Sequence, residues 1–209
     1  MDDAAGFRDI PPTTLADFLG RAQVMDIGIR PLWPDMPQVA GPAFTVRCPA
    51  GDNLMLHAAI HRAPAGSVIV VEAGDVDYAV AGGNVCAVAQ RNGIAAFVID
   101  GVIRDLAEIR ASRFPVFARG VIPIPGGKSV VEPLNARVTC GGVQVDAGDI
   151  VVADEEGIVV APRARGPQLL LDARAKLAKE SAETLDAWEA AHRARIDRIL
   201  HAQGYQDPQ

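Results

Sequence analysis

The sequence predicts an α/β fold in which a mixed β-sheet is flanked by helices. Two continuous apolar runs, Val68–Glu72 and Ala95–Ile99, have the length of buried strands. Helical patterns alternate with these runs, whereas the second half has short apolar runs separated by glycine turns. Hydrophobic residues make up 49% of the chain and aromatic residues 5%, so we expect an aliphatic core. At 209 residues, a single domain spanning 1–209 is expected.

The first third of the chain alternates helices and strands. Thr13–Gly20 is predicted to be a short helix that Gly20 ends, and 30–42, with four prolines, a loop or an extended arm. A strand is predicted at Ala43–Arg47 and a helix at Asn53–Arg62. The buried strand Val68–Glu72 then follows a Pro-Ala-Gly turn.

The central run contains the residues with the clearest chemistry. Asn84–Gln90 is predicted to be a helix, because alanine, valine and cysteine lie on its packing faces and Gly93 follows it. The strand Ala95–Ile99 comes next. Asp100-Gly101 has the composition of a turn, and a second helix is expected from Leu106 to Ser112.

The second half changes pattern. After a short strand at Val116–Ala118, residues 121–132 are rich in proline and glycine and are predicted to be loop. A charged helical region, with one break or none, is expected over 163–203, outside a core of 13–162. Between them, four short strands are predicted to form an antiparallel meander: Arg137–Thr139, Val143–Val145, Ile150–Ala153 and Ile158–Ala161.

Composition argues against several classes of partner. The net charge is −6 and no basic patch stands out, so nucleic acid is not expected to bind. No apolar run is long enough to span a bilayer, and the first residues do not resemble a signal peptide. The three cysteines are scattered, which fits a reducing compartment better than a disulfide scaffold. We therefore expect a cytoplasmic protein.

The central run is predicted to form a binding site for a small acid and a metal ion. Two helices that flank one strand can bring both N-termini to the same end of the sheet. The backbone amides of Gly82–Val85 would suit an anion. Arg104 offers a fork for a carboxylate, and Asp105 offers an oxygen ligand for a divalent cation.

Each of these features also has a purely structural interpretation. Arg104 and Asp105 could be an ordinary surface helix start, with Arg104–Glu108 as an i,i+4 pair. The glycines could simply form a tight turn. His57 and His61 have the spacing of a zinc pair but lack a third ligand, so packed or hydrogen-bonded histidines are favoured.

Several motifs together resemble the RraA-like family. In this chain, twenty residues separate Gly83 from Arg104-Asp105, and two residues separate Asp105 from Glu108. This spacing is similar to the signature of the family. The resemblance covers roughly Thr13 to Pro162 and implies a swivelling β/β/α fold assembled as a homotrimer or a dimer of trimers. Further segments that resemble the family, in the same order, are Gly51–Leu54, Pro115–Gly120, Lys128-Ser129, Glu132–Asn135, Cys140–Val143, Gly148-Asp149 and Ala153–Gly157.

This resemblance implies a metal-dependent lyase of the class II pyruvate aldolase type. Such enzymes cleave 4-hydroxy-4-methyl-2-oxoglutarate to pyruvate or decarboxylate oxaloacetate through a metal-stabilised enolate. Carried onto this sequence, Arg104 binds the carboxylate and keto oxygen of a 2-oxo acid, and Asp105 ligates Mg²⁺ or Mn²⁺. The backbone amides of Gly82, Gly83, Asn84 and Val85 bind substrate. Glu180, on the C-terminal helix, lies about where some relatives place a catalytic contributor from an adjacent subunit, and a solvated helix face is the alternative interpretation.

One position departs from the pattern of the active relatives. Those relatives carry an acid, which helps to hold a metal-bound water, where this chain has Gly83. The departure puts the proton-transfer step in question. Asp75, Asp77 or a glutamate of a neighbouring subunit are possible replacements for the missing acid. Glu108 is expected to orient Arg104. It also keeps open a second function, that of a non-catalytic regulator that binds a protein, as the ribonuclease E inhibitors of the same family do.

Overall fold

The computed structural model describes residues 3–206, which form nine strands and six α-helices. The strands are β1 (Arg30–Pro31), β2 (Val39–Cys48), β3 (Val68–Ala73), β4 (Ala96–Ile103), β5 (Val116–Val121), β6 (Val138–Cys140), β7 (Val143–Val145), β8 (Ile150–Asp154) and β9 (Gly157–Ala161). The helices are α1 (Pro12–Leu19), α2 (Leu54–Ala59), α3 (Gly83–Arg91), α4 (Leu106–Ser112), α5 (Gly166–Ala182) and α6 (Leu185–Ala202).

A seven-stranded mixed sheet forms the centre, in the order β1-β5-β4-β3-β2-β8-β9. Strands β2 to β5 are parallel, and β1, β8 and β9 extend the sheet in antiparallel fashion. The two edge strands β1 and β9 approach each other, so the sheet is nearly closed. The predicted α/β class, with helices flanking a mixed sheet, is therefore confirmed.

Alternating side chains of the parallel strands build two cores. In β3, Ile69 and Val71 pack toward helices α2, α3 and α4, whereas Val68 and Val70 face the inside of the curved sheet. The hairpin β6–β7 and the inner faces of β8 and β9 complete that second core. Because the strands are buried on both faces, they consist of continuous apolar runs, which is why the sequence indicated them clearly.

A third core lies on the outer face of β8 and β9. Leu15 of α1 and Leu169 and Ala173 of α5 pack there against Val152 and Val159. Helix α6 is different, because none of its residues is buried. No helix within residues 3–206 has the length and hydrophobicity needed to cross a membrane.

Two boundaries differ from the sequence-based expectation. Strand β2 begins at Val39, inside the proline-containing region predicted as a loop or an extended arm, because its first residues pair with β8, which is distant in the chain. Strand β4 continues through Asp100-Gly101, which was wrongly predicted as a turn, with a register shift against β5 between Ile99 and Val102. There the backbone passes close to β3, since a Cβ on Gly101 would lie 2.6 Å from Ala73 Cβ.

The antiparallel second half forms two hairpins that join different sheets. Strands β6 and β7 pair only with each other, whereas β8 and β9 extend the central sheet through β2. The glycine-containing turns between short strands were predicted correctly, but the continuous four-stranded meander was not. The C-terminal helical region is broken at Glu183-Thr184, where the Thr184 side chain accepts a hydrogen bond from Ala187 N and begins α6.

A buried carboxylate fixes the loop 126–130 against the start of α2. Asp52 is 4% exposed, and its Oδ1 accepts from Leu54 N at 2.9 Å. Its Oδ2 accepts from Ser129 N at 2.6 Å, Ser129 Oγ at 2.9 Å and Val130 N at 3.2 Å. Burial by itself raises the pKa of Asp52, but these donors outweigh it and hold the pKa below its ordinary value.

The Asp52→Asn variant is expected to lower the free energy of unfolding at neutral pH by about 1–3 kcal/mol, because an amide cannot accept from donors on both sides. The carboxylate stabilises the fold above its ordinary pKa of 3.8, and this contribution is lost as the pH falls through the lower folded-state value. Urea unfolding from about pH 7 to about pH 3 should therefore show the variant and the wild type converging in acid. Asp77→Asn, on an exposed residue, is the control, and an equal effect there would contradict this role of Asp52.

Candidate active site at the start of α4

A small cavity lies beyond the carboxyl ends of the parallel strands β3 and β4. This is where open α/β sheets commonly bind ligands. Its volume is about 70 Å³, enough for several water molecules or a small acid. It is lined by Asn53, His57, Ala79, Ala81, Gly82, Asn84, Val85, Arg104, Asp105, Pro125 and Lys128.

The start of α4 sets the positions of Arg104 and Asp105. Arg104 N donates to Ala81 O at 3.0 Å, which ties the end of β4 to the segment before α3. Asp105 then adopts a left-handed backbone, with φ 59° and ψ 37°. For a residue other than glycine this conformation costs about 1–2 kcal/mol, and such strain is concentrated at functional sites.

The Asp105 side chain connects the two helix starts. Its Oδ2 accepts from Gly83 N at 3.1 Å and lies 3.4 Å from Arg104 Nε. It does not cap its own helix. Both side chains are more than a third exposed, so the ion pair contributes little to stability. Its effect is to hold a guanidinium and a carboxylate side by side at the cavity.

The first turn of α3 lies opposite this pair. The helix begins with Cys86 N donating to Gly82 O at 3.0 Å. The amide of Gly83 is already used by Asp105, a detail the sequence did not indicate. The amides of Asn84 and Val85 have no carbonyl to bond within the helix, since they belong to its first turn. Both residues line the cavity.

Because Gly82 and Gly83 have no side chains, the carboxylates of Asp105 and Glu108 can lie close to them. A Cβ on Gly82 would fall 2.5 Å from Asp105 Oδ2 and 3.1 Å from Arg104 Nε. A Cβ on Gly83 would collide with Glu108 Oε2. The Glu108 carboxylate therefore occupies the space that a side chain at position 83 would use. In the sequence, Glu108 follows Asp105 by three residues. This spacing places both residues on one face of α4, and it was the sequence signal that linked Glu108 to Asp105.

Three further side chains at the cavity were not assigned to the site from the sequence. Asn53 is 3% exposed and closes one wall. His57 lies one turn further along α2 and is half-buried, and Lys128 is carried by the loop that Asp52 holds. Burial, then the charges of Lys128, Arg104 and His61, lower the pKa of His57, so its imidazole is neutral at pH 7.

Glu180 lies elsewhere in this chain. It forms an ion pair with Lys176 on α5 and lines a groove between α5 and α6. The cavity thus brings together Gly82, Asn84, Val85, Arg104 and Asp105, with Gly83 beside them, but not Glu180. The contribution of Glu180 to the site of an adjacent subunit stays a prediction.

The cysteines are not nucleophiles. All three are buried, and burial raises the pKa of Cys48 to about 11 and that of Cys86 to about 12. These thiols are protonated at neutral pH and act as small core side chains, as the sequence suggested.

Fold and site together define an α/β protein with a small polar cavity, lined by an arginine–aspartate pair, at the carboxyl ends of parallel strands. A family model described as RraA-like (Aldolase/RraA) matches residues 3–160. The chain belongs to the RraA-like family, as the motifs around Gly83 and Arg104 indicated.

Individual relatives extend this result. A Halalkalibacterium halodurans protein provisionally named 4-hydroxy-4-methyl-2-oxoglutarate aldolase is 36% identical over 206 residues, covering 98% of this chain and 94% of its own. The structure of the RNase ES inhibitor family member RraAS2 of Streptomyces coelicolor matches with a TM-score of 0.75 at 27% identity, over 86% of this chain and 93% of that one. The RNA-processing inhibitor RraA from Thermus thermophilis matches with a TM-score of 0.66 at 26% identity, over 72% and 91%.

Proposed function

We propose that this protein is a divalent-metal-dependent lyase that acts on 2-oxo acids. It would cleave substrates such as 4-hydroxy-4-methyl-2-oxoglutarate to pyruvate, decarboxylate oxaloacetate, or do both. The observation that carries the proposal is the pairing of Arg104 with Asp105 at a small cavity, opposite the first-turn amides of α3. The name of the Halalkalibacterium relative supports the same substrate class.

The donor set suits Mg²⁺ or Mn²⁺. Asp105 presents one carboxylate at the cavity, and Mg²⁺ is commonly held by one or two carboxylates together with water and substrate oxygens. No group of three metal-ligating side chains occurs within residues 3–206, so the carboxylate and keto oxygens of a chelating acid would complete the shell. When bound, the ion supplies Lewis-acid stabilisation of negative charge on the keto oxygen.

The protein's own groups would orient the acid. Arg104 binds its carboxylate and keto oxygens through the guanidinium fork. The amides of Asn84 and Val85 add donors at the positive end of α3, and Gly82 allows the substrate to approach the backbone. The Glu108 carboxylate lies next to position 83, and in this proposal it would hold the water that exchanges a proton with the methyl carbon of pyruvate.

The test is an assay of pyruvate release from oxaloacetate and from 4-hydroxy-4-methyl-2-oxoglutarate with Mn²⁺, followed by a coupled dehydrogenase. Pyruvate release above the rate with metal alone, abolished by chelator and restored by added metal, is expected. A rate no higher than the metal-only background with both substrates would reject the lyase.

The second candidate is a non-catalytic regulator that binds a protein partner. Gly83 favours it, because no acid stands at that position, and so does the similarity to the Thermus RNA-processing inhibitor. The same assay separates the two candidates, since a regulator has no need to turn over a 2-oxo acid.

We also propose assembly as a homotrimer or a dimer of trimers. Helix α6 buries none of its residues, and Leu185 and Trp188 are exposed near its start. Because most helical stability in proteins comes from tertiary packing, a neighbouring subunit is the natural cover for it. Light scattering that gave the mass of a monomer would contradict this arrangement.

A further inference from the structure

Asn53 contains a buried acceptor that nothing in the protein satisfies. Its Nδ2 donates to Ala79 O and to Gly126 O, both at 3.3 Å. Because both neighbours are carbonyls, the amide cannot be turned around, and its Oδ1 can only accept. Among residues 3–206, this Oδ1 is the one buried side-chain nitrogen or oxygen that lacks a hydrogen-bond partner.

An unsatisfied buried acceptor destabilises the folded protein, so such groups usually have a functional explanation. Asn53 lines the cavity, which makes a ligand the natural source of the missing donor. Carboxylates and keto oxygens cannot donate. A 2-oxo acid that satisfies Asn53 must therefore carry a further group with a hydrogen, and a hydroxyl is the smallest.

His57 lies next to the same position. His57 N donates to Asn53 O, so the two residues are one helical turn apart and both reach the cavity. His57 and Arg104 line the same cavity of about 70 Å³, so a molecule held by Arg104 shares this cavity with His57. Burial, then the charges of Lys128 and Arg104, which also line the cavity, lower the pKa of His57, and the neutral imidazole is the state that can accept a proton.

Asn53 and Arg104 are attached to one short segment. Asn53 Nδ2 bonds to Ala79 O and Arg104 N bonds to Ala81 O. Ala79 and Ala81 are two positions apart in the chain, so their Cα atoms are at most about 7 Å apart. Because the side chains of Asn53 and Arg104 also line one small cavity, we expect a 2-oxo acid bound at Arg104 through its first two carbons to place a hydroxyl on carbon 4 near Asn53.

We propose that Asn53 and His57 form the part of the site that handles the 4-hydroxyl group of a 4-hydroxy-2-oxo acid. Asn53 Oδ1 accepts a hydrogen bond from this hydroxyl on binding, and His57 is the base that removes its proton. The hydroxyl proton passes to the imidazole, the C4–O bond becomes a carbonyl, and the C3–C4 bond breaks. The electron pair of that bond moves into pyruvate enolate, which then takes a proton at carbon 3.

This inference rests on the proposed lyase function and makes a distinction within it. Decarboxylation of oxaloacetate and exchange of the methyl hydrogens of pyruvate with solvent need no hydroxyl proton to be removed. Only aldol cleavage does. Loss of His57 should therefore separate the reactions, whereas loss of Arg104 or Asp105 should affect all of them.

The experiment compares wild type, His57→Gln and the matched control His61→Gln, an exposed histidine on the following turn. With Mn²⁺, His57→Gln is expected to cleave 4-hydroxy-4-methyl-2-oxoglutarate about 100-fold or more slowly. Its rate of cleavage should fall at least about tenfold more than its rates of oxaloacetate decarboxylation and of hydrogen–deuterium exchange of pyruvate, and His61→Gln should keep all three rates within about threefold of wild type. Added imidazole should restore part of the cleavage activity of His57→Ala.

Equal losses in all three reactions, or undiminished cleavage, would overturn the role of His57 and leave the lyase standing. The role of His57 would also be overturned if the wild-type protein decarboxylated oxaloacetate and exchanged the methyl hydrogens of pyruvate but never cleaved the hydroxy acid. Absence of all three reactions in the wild type would reject the lyase and this inference together. Asn53 is a poorer position to test, because its substitution would also release Ala79 and Gly126.

Discussion

The Asp105→Ala variant is expected to lose metal-dependent pyruvate release by about a thousandfold or more. Asp105 is the only carboxylate that lines the cavity within the described residues 3–206, and in the proposed reaction it holds the metal ion. Its removal would take away both the metal and the partner that positions Arg104. The measurement is the coupled dehydrogenase assay, with metal affinity measured in parallel by calorimetry.

The backbone at this position requires a second variant. Asp105 is left-handed, so alanine introduces some strain there. An asparagine would tolerate this conformation and could still accept from Gly83 N, so Asp105→Asn removes chiefly the charge. Both variants should be inactive with a nearly unchanged melting temperature, and Asp186→Ala on exposed α6 should be active. Unchanged turnover in either Asp105 variant would remove the proposed mechanism.

The Gly82→Ala variant is expected to reduce the rate of pyruvate release by about 100-fold while the protein stays folded. Gly82 has an extended backbone, with φ −150° and ψ −173°, that alanine can also adopt. The new methyl group, however, would lie 2.5 Å from Asp105 Oδ2 and 3.1 Å from Arg104 Cγ. Both side chains must then move, and a displacement of about 1 Å at a catalytic group can cost this much in rate.

Gly120→Ala provides the matched control for this effect. Gly120 lies in β5, and a Cβ added there has no atom within 4 Å. Steady-state kinetics and thermal melting of both variants separate geometry from stability. Full activity in Gly82→Ala would mean that the observed contact between the two helix starts is not needed for turnover. A large drop in its melting temperature would mean that the glycine is needed for folding instead.

The sequence predicted secondary-structure elements best where they are marked by a local run of apolar residues. Val68–Glu72 and Ala95–Ile99 were located because strands covered on both faces have continuous apolar runs. The start of β2 was not assigned to a strand because its partner, β8, is distant in sequence, and local composition indicated a proline-containing loop or an extended arm. Asp100-Gly101 was mistaken for a turn because the register shift that accommodates it depends on β5.

The candidate site was predicted in part. Arg104 and Asp105 follow a buried strand at a helix start, and the spacing to Gly83 resembled a family signature, so the sequence drew attention to them. Asn53 and His57 are one helical turn apart at the start of α2, but Lys128 and Arg104 are distant from them in sequence, and only the folded chain brings these residues to one cavity. The use of the Gly83 amide by Asp105 likewise depends on how α3 and α4 meet.

By itself, the sequence determined the α/β class, the aliphatic core and the residue types available for binding an acid and a metal. These properties follow from composition and local periodicity, which a linear chain carries. Tertiary structure alone decided which polar groups share a cavity, which amide Asp105 uses and which acceptor on Asn53 lacks a donor. Those outcomes depend on contacts between residues far apart in the chain, and such contacts exist only when the parallel strands align the ends of their connecting segments.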